Sequence, residues 1–237
     1  MKLLRENDLV DSNRAILLSI IIPAFNRQDA LDNLLHALNK AIQQDSYEKL
    51  VEVIVIDDSS LAKLTIPAEM VCHSLILRND TNLGAPKSRE KGFQLSQGKF
   101  IHFHDSDDLI TKTWLMELIK ELAASPTLDL LLTGRIDQLK SKQIHRLHKF
   151  FHKHYIKPKK IAFRLIYRNC MGPLGGVTFS RKILKTVNFK PIASCQDWQM
   201  YIDAVENAEV LRSRPDIHFI FNKMGDDRYA WECPGIR

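Results

Sequence analysis

Apolar positions along the first half of the chain follow two alternating periods. Ile16-Leu-Leu-Ser-Ile-Ile-Ile22 is a continuous, β-branched run ended by Pro23, the pattern of a strand covered on both faces. Leu31, Leu34, Leu35, Leu38 and Ile42 then recur at helical spacing and define one apolar helix face. Val51-Glu-Val-Ile-Val-Ile56 is a second strand, running into Asp57-Asp58-Ser59-Ser60, and Leu75-Ile-Leu77 is a short third. The pattern predicts a helix over Lys87–Gln97 with Gly98 as its stop. Phe100-Ile-His-Phe103 is a fourth strand, leading into Asp105-Ser106-Asp107-Asp108. Trp114, Leu115, Leu118, Ile119 and Leu122 mark a further helix closed by Ser125-Pro126, and Leu128–Thr133 reads as a fifth strand.

Strand and helix in alternation predict an α/β fold, a Rossmann-like, mostly parallel sheet flanked by helices, with right-handed crossovers. Ligands of such sheets bind beyond the carboxyl ends of the strands. The residues after each strand therefore carry the functional signal: Pro23-Ala-Phe25-Asn26 after the first, two Asp after the second, three Asp in four residues after the fourth.

The Asp105-Ser-Asp107-Asp108 cluster is the strongest of these. Carboxylates crowded at a strand end repel one another unless a cation neutralises them, and hard oxygens suit Mg2+ or Mn2+ bridged to substrate phosphates. The competing role is a helix N-cap, for which three acids are more than enough. Asp57 and Asp58 could bind a ribose hydroxyl or base N–H, or could close an Asx-turn. Asn82-Leu-Gly84 leads into a helix with Lys87 and Arg89 in its first turns, either a diphosphate neighbour or a solvated helix start. Nucleotide-binding glycine loops of the G-x-G-x-x-G and P-loop kinds, the G-x-S-x-G elbow and H-E-x-x-H are all absent from the sequence.

Taken in order, these segments resemble family 2 glycosyltransferases with the GT-A fold. The matching pieces are Ser19–Asn26, Val55–Ser60, Asn82 through Arg89, Phe103–Asp108, a strand-like Gly175–Lys182, and Gln196-Asp197-Trp198. The likeness runs over about residues 16–222. It implies one GT-A domain, with a nucleotide-sugar half over 14–134 and an acceptor-side half over 135–237. By position it implies that Pro23, Phe25 and Asp58 hold the nucleoside, with Asp57 and Arg89 nearby. Asp105 and Asp107 would hold Mn2+ or Mg2+ and the ribose-diphosphate end, with Asp108 second, and Asp197 would be the catalytic base. The implied activity is inverting transfer of a hexosyl or N-acetylhexosaminyl group from a nucleoside-diphosphate sugar, UDP favoured, to a saccharide or lipid-linked acceptor of the cell envelope. Glu90 stands where the family has Asn, Gln196 where it has an acid, and Phe221-Asn-Lys-Met224 where many members carry Arg and His. Lys223 could stand in as the cation, and the Gln196 departure keeps a catalytically inactive scaffold open.

Charge changes this picture in one respect. The net charge of +6 combines 34 Lys+Arg with 28 Asp+Glu. No acid occurs from 138 to 196, a stretch of 59 residues holding 14 of the basic ones. An acidic body thus carries a basic acceptor-side insert, which points to an anionic partner. Within 138–168, Ile144, Leu147 and Phe151 are spaced as on a helix, among Arg146, Lys149, Lys153, Lys157 and several His. A basic helix with bulky apolar residues suits an anionic membrane surface; packing on the sheet is the alternative. His145, His148 and His152 would share a helical face, but no acid or Cys joins them to make a metal site. A nucleic-acid partner leaves the Asp clusters unexplained, since acids repel phosphate. With 45% hydrophobic residues and 26% charged, the composition is that of a globular chain rather than a disordered one. The charged, mixed start at Met1–Asn13 and four scattered cysteines fit a cytoplasmic protein, peripheral at the inner face of the membrane.

Overall fold

The computed structural model describes residues 16–139, 142–146, 155–167, 169–192 and 195–223. Among the described residues ten strands form one sheet: β1 (Leu18–Ala24), β2 (Val51–Asp57), β3 (His73–Arg78), β4 (Phe100–Phe103), β5 (Leu109–Ile110), β6 (Leu130–Gln138), β7 (Gln143–Arg146), β8 (Tyr155–Ile156), β9 (Val177–Ser180) and β10 (Leu211–Asn222). Their order is β3-β2-β1-β4-β9-β6-β10-β5, with β7 on β6 and β8 on β10. Six α-helices among the described residues accompany them, α1 (Gln28–Gln44), α2 (Ala85–Leu95), α3 (Trp114–Ala124), α4 (Pro158–Leu165), α5 (Arg181–Leu184) and α6 (Gln196–Asn207), with a short 3-10 turn at Leu174–Gly176. The first four strands in the order are parallel. β9 runs antiparallel to both β4 and β6, so the sheet is mixed through its centre.

Apolar cores cover both sheet faces, which explains the continuous hydrophobic runs. On one face Ile20, Ile22, Val53 and Val55 pack with Leu31, Leu34 and Leu38 of α1 and with Trp114, Leu118 and Leu122 of α3. On the other, Ile21, Ile54, Ile56 and Phe103 meet Leu165 of α4 and Tyr201 and Ala204 of α6. Successive strand residues thus feed opposite cores, as the two-residue period requires. Pro23 lies past the last β1–β4 rung, Ile21 with Phe103, so its missing N–H removes no bond on that side.

Three expectations need correction. α2 ends at Leu95, and Gly98 is not its stop. Gly98 instead lies where a Cβ would meet Ser19 Oγ at 2.4 Å and Ser19 N at 2.6 Å. Its amide and that of Gln97 donate to Glu52 Oε1 (3.2 and 2.6 Å), which also accepts from Ser19 Oγ at 2.6 Å. Glu52 is fully buried, and this knot closes the amino ends of β1, β2 and β4. Because the clash involves backbone, Gly98→Ala should cost roughly 1–3 kcal/mol. The melting temperature should fall by about 2–4 °C for each kcal/mol, measured by circular dichroism; an unchanged melt would refute the close-packing account.

The second correction concerns the basic insert. Its helical spacing predicts a helix through Ile144, but Gln143–Arg146 is a strand antiparallel to β6, with Ile144 opposite Asp137. β6 continues to Gln138, past the predicted Thr133, and offers an unpaired edge that the returning chain satisfies. Leu147, His148, Phe151 and His152 lie outside the described residues. Among the described residues of 138–168, the helix is α4. The third is β10, absent from the predicted elements, which lies parallel to β6 and carries a bulge between Arg214 and His218. Among the described residues no helix is long and apolar enough to cross a membrane.

Candidate active site

The carboxyl ends of β1, β2 and β4 meet at one edge, because their parallel register pairs Ala24 with Asp57 and Ile21 with Phe103. The segments after them carry most of the candidate site residues.

Asp57 is buried and works within its own loop, accepting from Ser60 N at 2.9 Å, Leu64 N at 3.3 Å and Arg78 Nη1 at 3.0 Å. Burial pushes its carboxyl up, but these donors outweigh it and hold it below the ordinary value. Asp58 is buried too and grips the next loop: Oδ1 accepts from Leu83 N (2.9 Å) and Asn79 Nδ2 (2.8 Å), Oδ2 from Gly84 N (2.8 Å). Gly84 has φ of 82°, in the left-handed region that favours glycine, where the chain turns into α2. Both Asp residues therefore shape the loops around the strand ends. Phe25, beyond β1, stays half exposed beside them. Asn26 ties the same loops, its Oδ1 accepting from Leu61 N at 2.7 Å.

Lys87 pairs with Glu90 at 2.7 Å, so the Glu in place of Asn neutralises its neighbour. Arg89 turns inward. Its Nη2 donates to Asp105 Oδ1 at 2.8 Å and its Nη1 lies 3.4 Å from Gln196 Oε1. Asp107 pairs with Arg27, a residue that the sequence motifs did not single out although it directly follows Asn26. Neither Asp107 nor Asp108 caps α3, whose N-cap is Thr113. Asp108 is fully buried, and its Oδ1 accepts from Asn222 N at 3.0 Å, at the end of β10. It joins the acidic loop to the last strand.

Asp197 lies in the first turn of α6 as its second residue, two positions past the cap, which is Cys195. Burial pushes its carboxyl up and Asp105 adds to that push. Arg89 and the Leu174 N–H pull it back, and it settles at about 6. One turn on, Tyr201 is buried and donates to Gly172 O at 3.0 Å. Arg89 thus donates to Asp105 on the strand side and Gln196 on the helix side, and its charge acts on Asp197, the next residue of α6. His104, between β4 and the acidic loop, is fully enclosed by Trp114, His102 and Phe219; burial depresses its imidazole to about 4, so it is neutral.

Residues 19–187 match the profile of glycosyl transferase family 2. The chain belongs to that family. Asp197 lies beyond the matched segment and Asp105, Asp107 and Asp108 within it. Over 110 residues the chain is 34% identical to poly(ribitol-phosphate) beta-N-acetylglucosaminyltransferase TarS of Staphylococcus aureus, covering 45% of this chain and 18% of TarS. An uncharacterized glycosyltransferase of Haemophilus influenzae is 31% identical over 113 residues, 48% of this chain and 37% of the relative. The chain spans well under half the length of these relatives. Among solved structures, S. aureus TarS 1–349 in complex with UDP-GlcNAc superposes with a TM-score of 0.72 at 22% identity, over 91% of this chain and 62% of that one. That likeness establishes the GT-A fold.

One family 2 position departs from its expected partner. Lys223, considered as a cation over the nucleotide, has its Nζ on Asp137 Oδ2 at 2.9 Å and its amide on Gln138 O. Asp137 also accepts from Arg135 Nε at 2.8 Å. Lys223 is thereby fastened to the end of β6.

The fit of a divalent ion depends on donor number. Among the described residues no three His, Cys, Asp or Glu side chains converge to hold a metal. Mg2+ and Mn2+ held together with substrate phosphates need only one or two carboxylates. Asp105 and Asp107, with side chains 35% and 18% exposed at the strand end, supply hard oxygens of that kind and fit.

Proposed function

We propose that this chain transfers a sugar, with inversion, from a nucleoside diphosphate (UDP favoured) to a hydroxyl of a saccharide or lipid-linked acceptor in cell-envelope synthesis. The observation that supports this reading is that Arg89 donates to Asp105 and acts electrostatically on Asp197, so that one donor-side carboxylate and the proposed base share a cation.

Phe25 offers an exposed ring face to the nucleobase, and the loops gripped by Asp57 and Asp58 flank it. Asp105 and Asp107 would hold the divalent ion. Bound there, Mn2+ or Mg2+ would neutralise the charge that develops on the departing diphosphate. Arg89 holds Asp105 in place. Across the sugar, the Asp197 carboxylate accepts the proton of the acceptor hydroxyl as its oxygen bonds to the anomeric carbon. The bond from that carbon to the diphosphate breaks with its electron pair on the leaving oxygen, and attack from the opposite face inverts the centre.

TarS carries UDP-GlcNAc in its solved complex, and its name gives poly(ribitol-phosphate) as what it acts on. Both favour a UDP-sugar and an envelope polymer here. The test is isothermal titration of the chain with UDP, with and without Mn2+. Binding that requires Mn2+ is expected. Absent binding sinks the donor reading, and binding indifferent to metal sinks the ion assignment.

A further inference from the structure

We propose that the outward face of α4 and the turn after it docks on an anionic membrane surface. This deepens the acceptor reading above and rests on it only for the nature of the acceptor.

α4 has two unlike sides. Ile161 and Leu165 are buried against the core they share with α6, and Trp198 Nε1 of α6 donates to Leu165 O at 2.6 Å. On the other side Phe163, Ile166 and Tyr167 are 63%, 65% and 62% exposed, three bulky apolar side chains within five residues. The rings of Phe163 and Tyr167 meet edge to face at 5.6 Å, so they form one patch. Helical spacing puts Lys159, Phe163 and Tyr167 in one row of every fourth residue, with Ile166 beside it. Lys157, Lys159 and Lys160 are exposed. The patch sits inside the stretch 138–196 that holds no acid.

That composition selects the partner. A protein partner of mixed charge meets no complementary acid here. A nucleic acid is read by stacking faces along a groove, and Ile166 supplies none. Cations ringing aromatic and aliphatic groups on one short helix match a headgroup layer: cations meet anionic phosphates while Phe163, Ile166 and Tyr167 enter the acyl boundary. α6, which α4 packs against, carries Asp197 in its first turn. Docking through α4 therefore holds the proposed base about one helix width, roughly 8–10 Å, behind the lipid-facing element, where a lipid-linked saccharide presents its hydroxyl.

The experiment is flotation of the full chain with vesicles of phosphatidylglycerol and phosphatidylcholine, and with phosphatidylcholine alone. Flotation is expected on the anionic vesicles, weakening at high salt. Lys159→Glu with Lys160→Glu should reduce partitioning on the order of tenfold or more, and Phe163→Ser with Tyr167→Ser should do so independently. These positions are exposed, so circular dichroism and UDP binding should be unchanged in both variants. No flotation on anionic vesicles, equal flotation on neutral ones, or variants that float like the unaltered chain would each overturn the proposal. A dimer in sedimentation that either variant dissolves would overturn it as well, by making a second copy the occupant. Loss of UDP binding in the unaltered chain would instead strike the donor reading and leave the flotation result standing.

Discussion

Asp197→Asn should lower kcat by roughly 10²–10⁴-fold, the usual contribution of a positioned proton acceptor, while UDP affinity stays unchanged. The amide keeps the size of the side chain and the first turn of α6 but cannot take the acceptor's proton. The unaltered chain supplies the matching pH signature. The base works ionised, and burial has raised its carboxyl to about 6. The rate at low acceptor concentration should therefore rise as pH increases through about 6 and level off above it. The residual rate of the Asn variant should lack that limb. Full transfer activity in the variant would move the base elsewhere, and with it the proposed chemistry.

Arg89→Met carries the second large effect, in two readouts. The guanidinium is 6% exposed and donates to Asp105 at 2.8 Å while pulling the Asp197 carboxyl down. Removing its charge leaves both carboxylates with less compensation for their mutual repulsion. The acid limb of the activity profile should then move to higher pH, because Asp197 holds its proton longer. Removing one partner of a buried pair costs about 3–5 kcal/mol. Asp105 is a third exposed and water repays part of the loss, so about 2–3 kcal/mol is expected after that discount, a drop in Tm of roughly 5–10 °C. A limb that stays in place would show that Arg89 does not set the proton affinity of Asp197, whatever the melt does.

Much of this arrangement can be read in the linear chain, and the boundary of legibility is physical. Ile20–Ile22 and Val53–Ile56 announce strands because both sheet faces are covered, leaving no polar alternation to blur them. Leu31, Leu34, Leu35 and Leu38 announce α1 because one face alone is buried. β10 is illegible: Arg212, Arg214, Pro215 and Asp216 break its apolar run, and its bulge interrupts the ladder with β6. Ile144 misleads because a few apolar residues fit either period, and the unpaired edge of β6, a tertiary fact, makes the choice. In the candidate site, the order of motifs singles out Asp105, Asp107 and Asp197. The Asx-turn alternative anticipates Asp57 accepting from the Ser60 amide, but nothing in the sequence says that Asp58 grips Leu83 and Gly84 or that Arg27 meets Asp107. Such partners depend on loop paths, which no spacing encodes.

The bond from Asn222 to Asp108 has a consequence for biosynthesis. The acidic loop is complete as a sequence once Asp108 is made, yet the amide that holds it arrives with Asn222, and β5 within the same loop pairs with Phe219 and Ile220. During synthesis the donor-side loops must wait for nearly all of the described chain to leave the ribosome before their last supports exist. Contacts closed over so long a separation form late. A nascent chain that stalls before β10 therefore leaves Asp108 without its Asn222 donor and β5 without its strand partner, although Asp105 and Asp107 already have Arg89 and Arg27, and completing the last strand is what finishes the acidic loop.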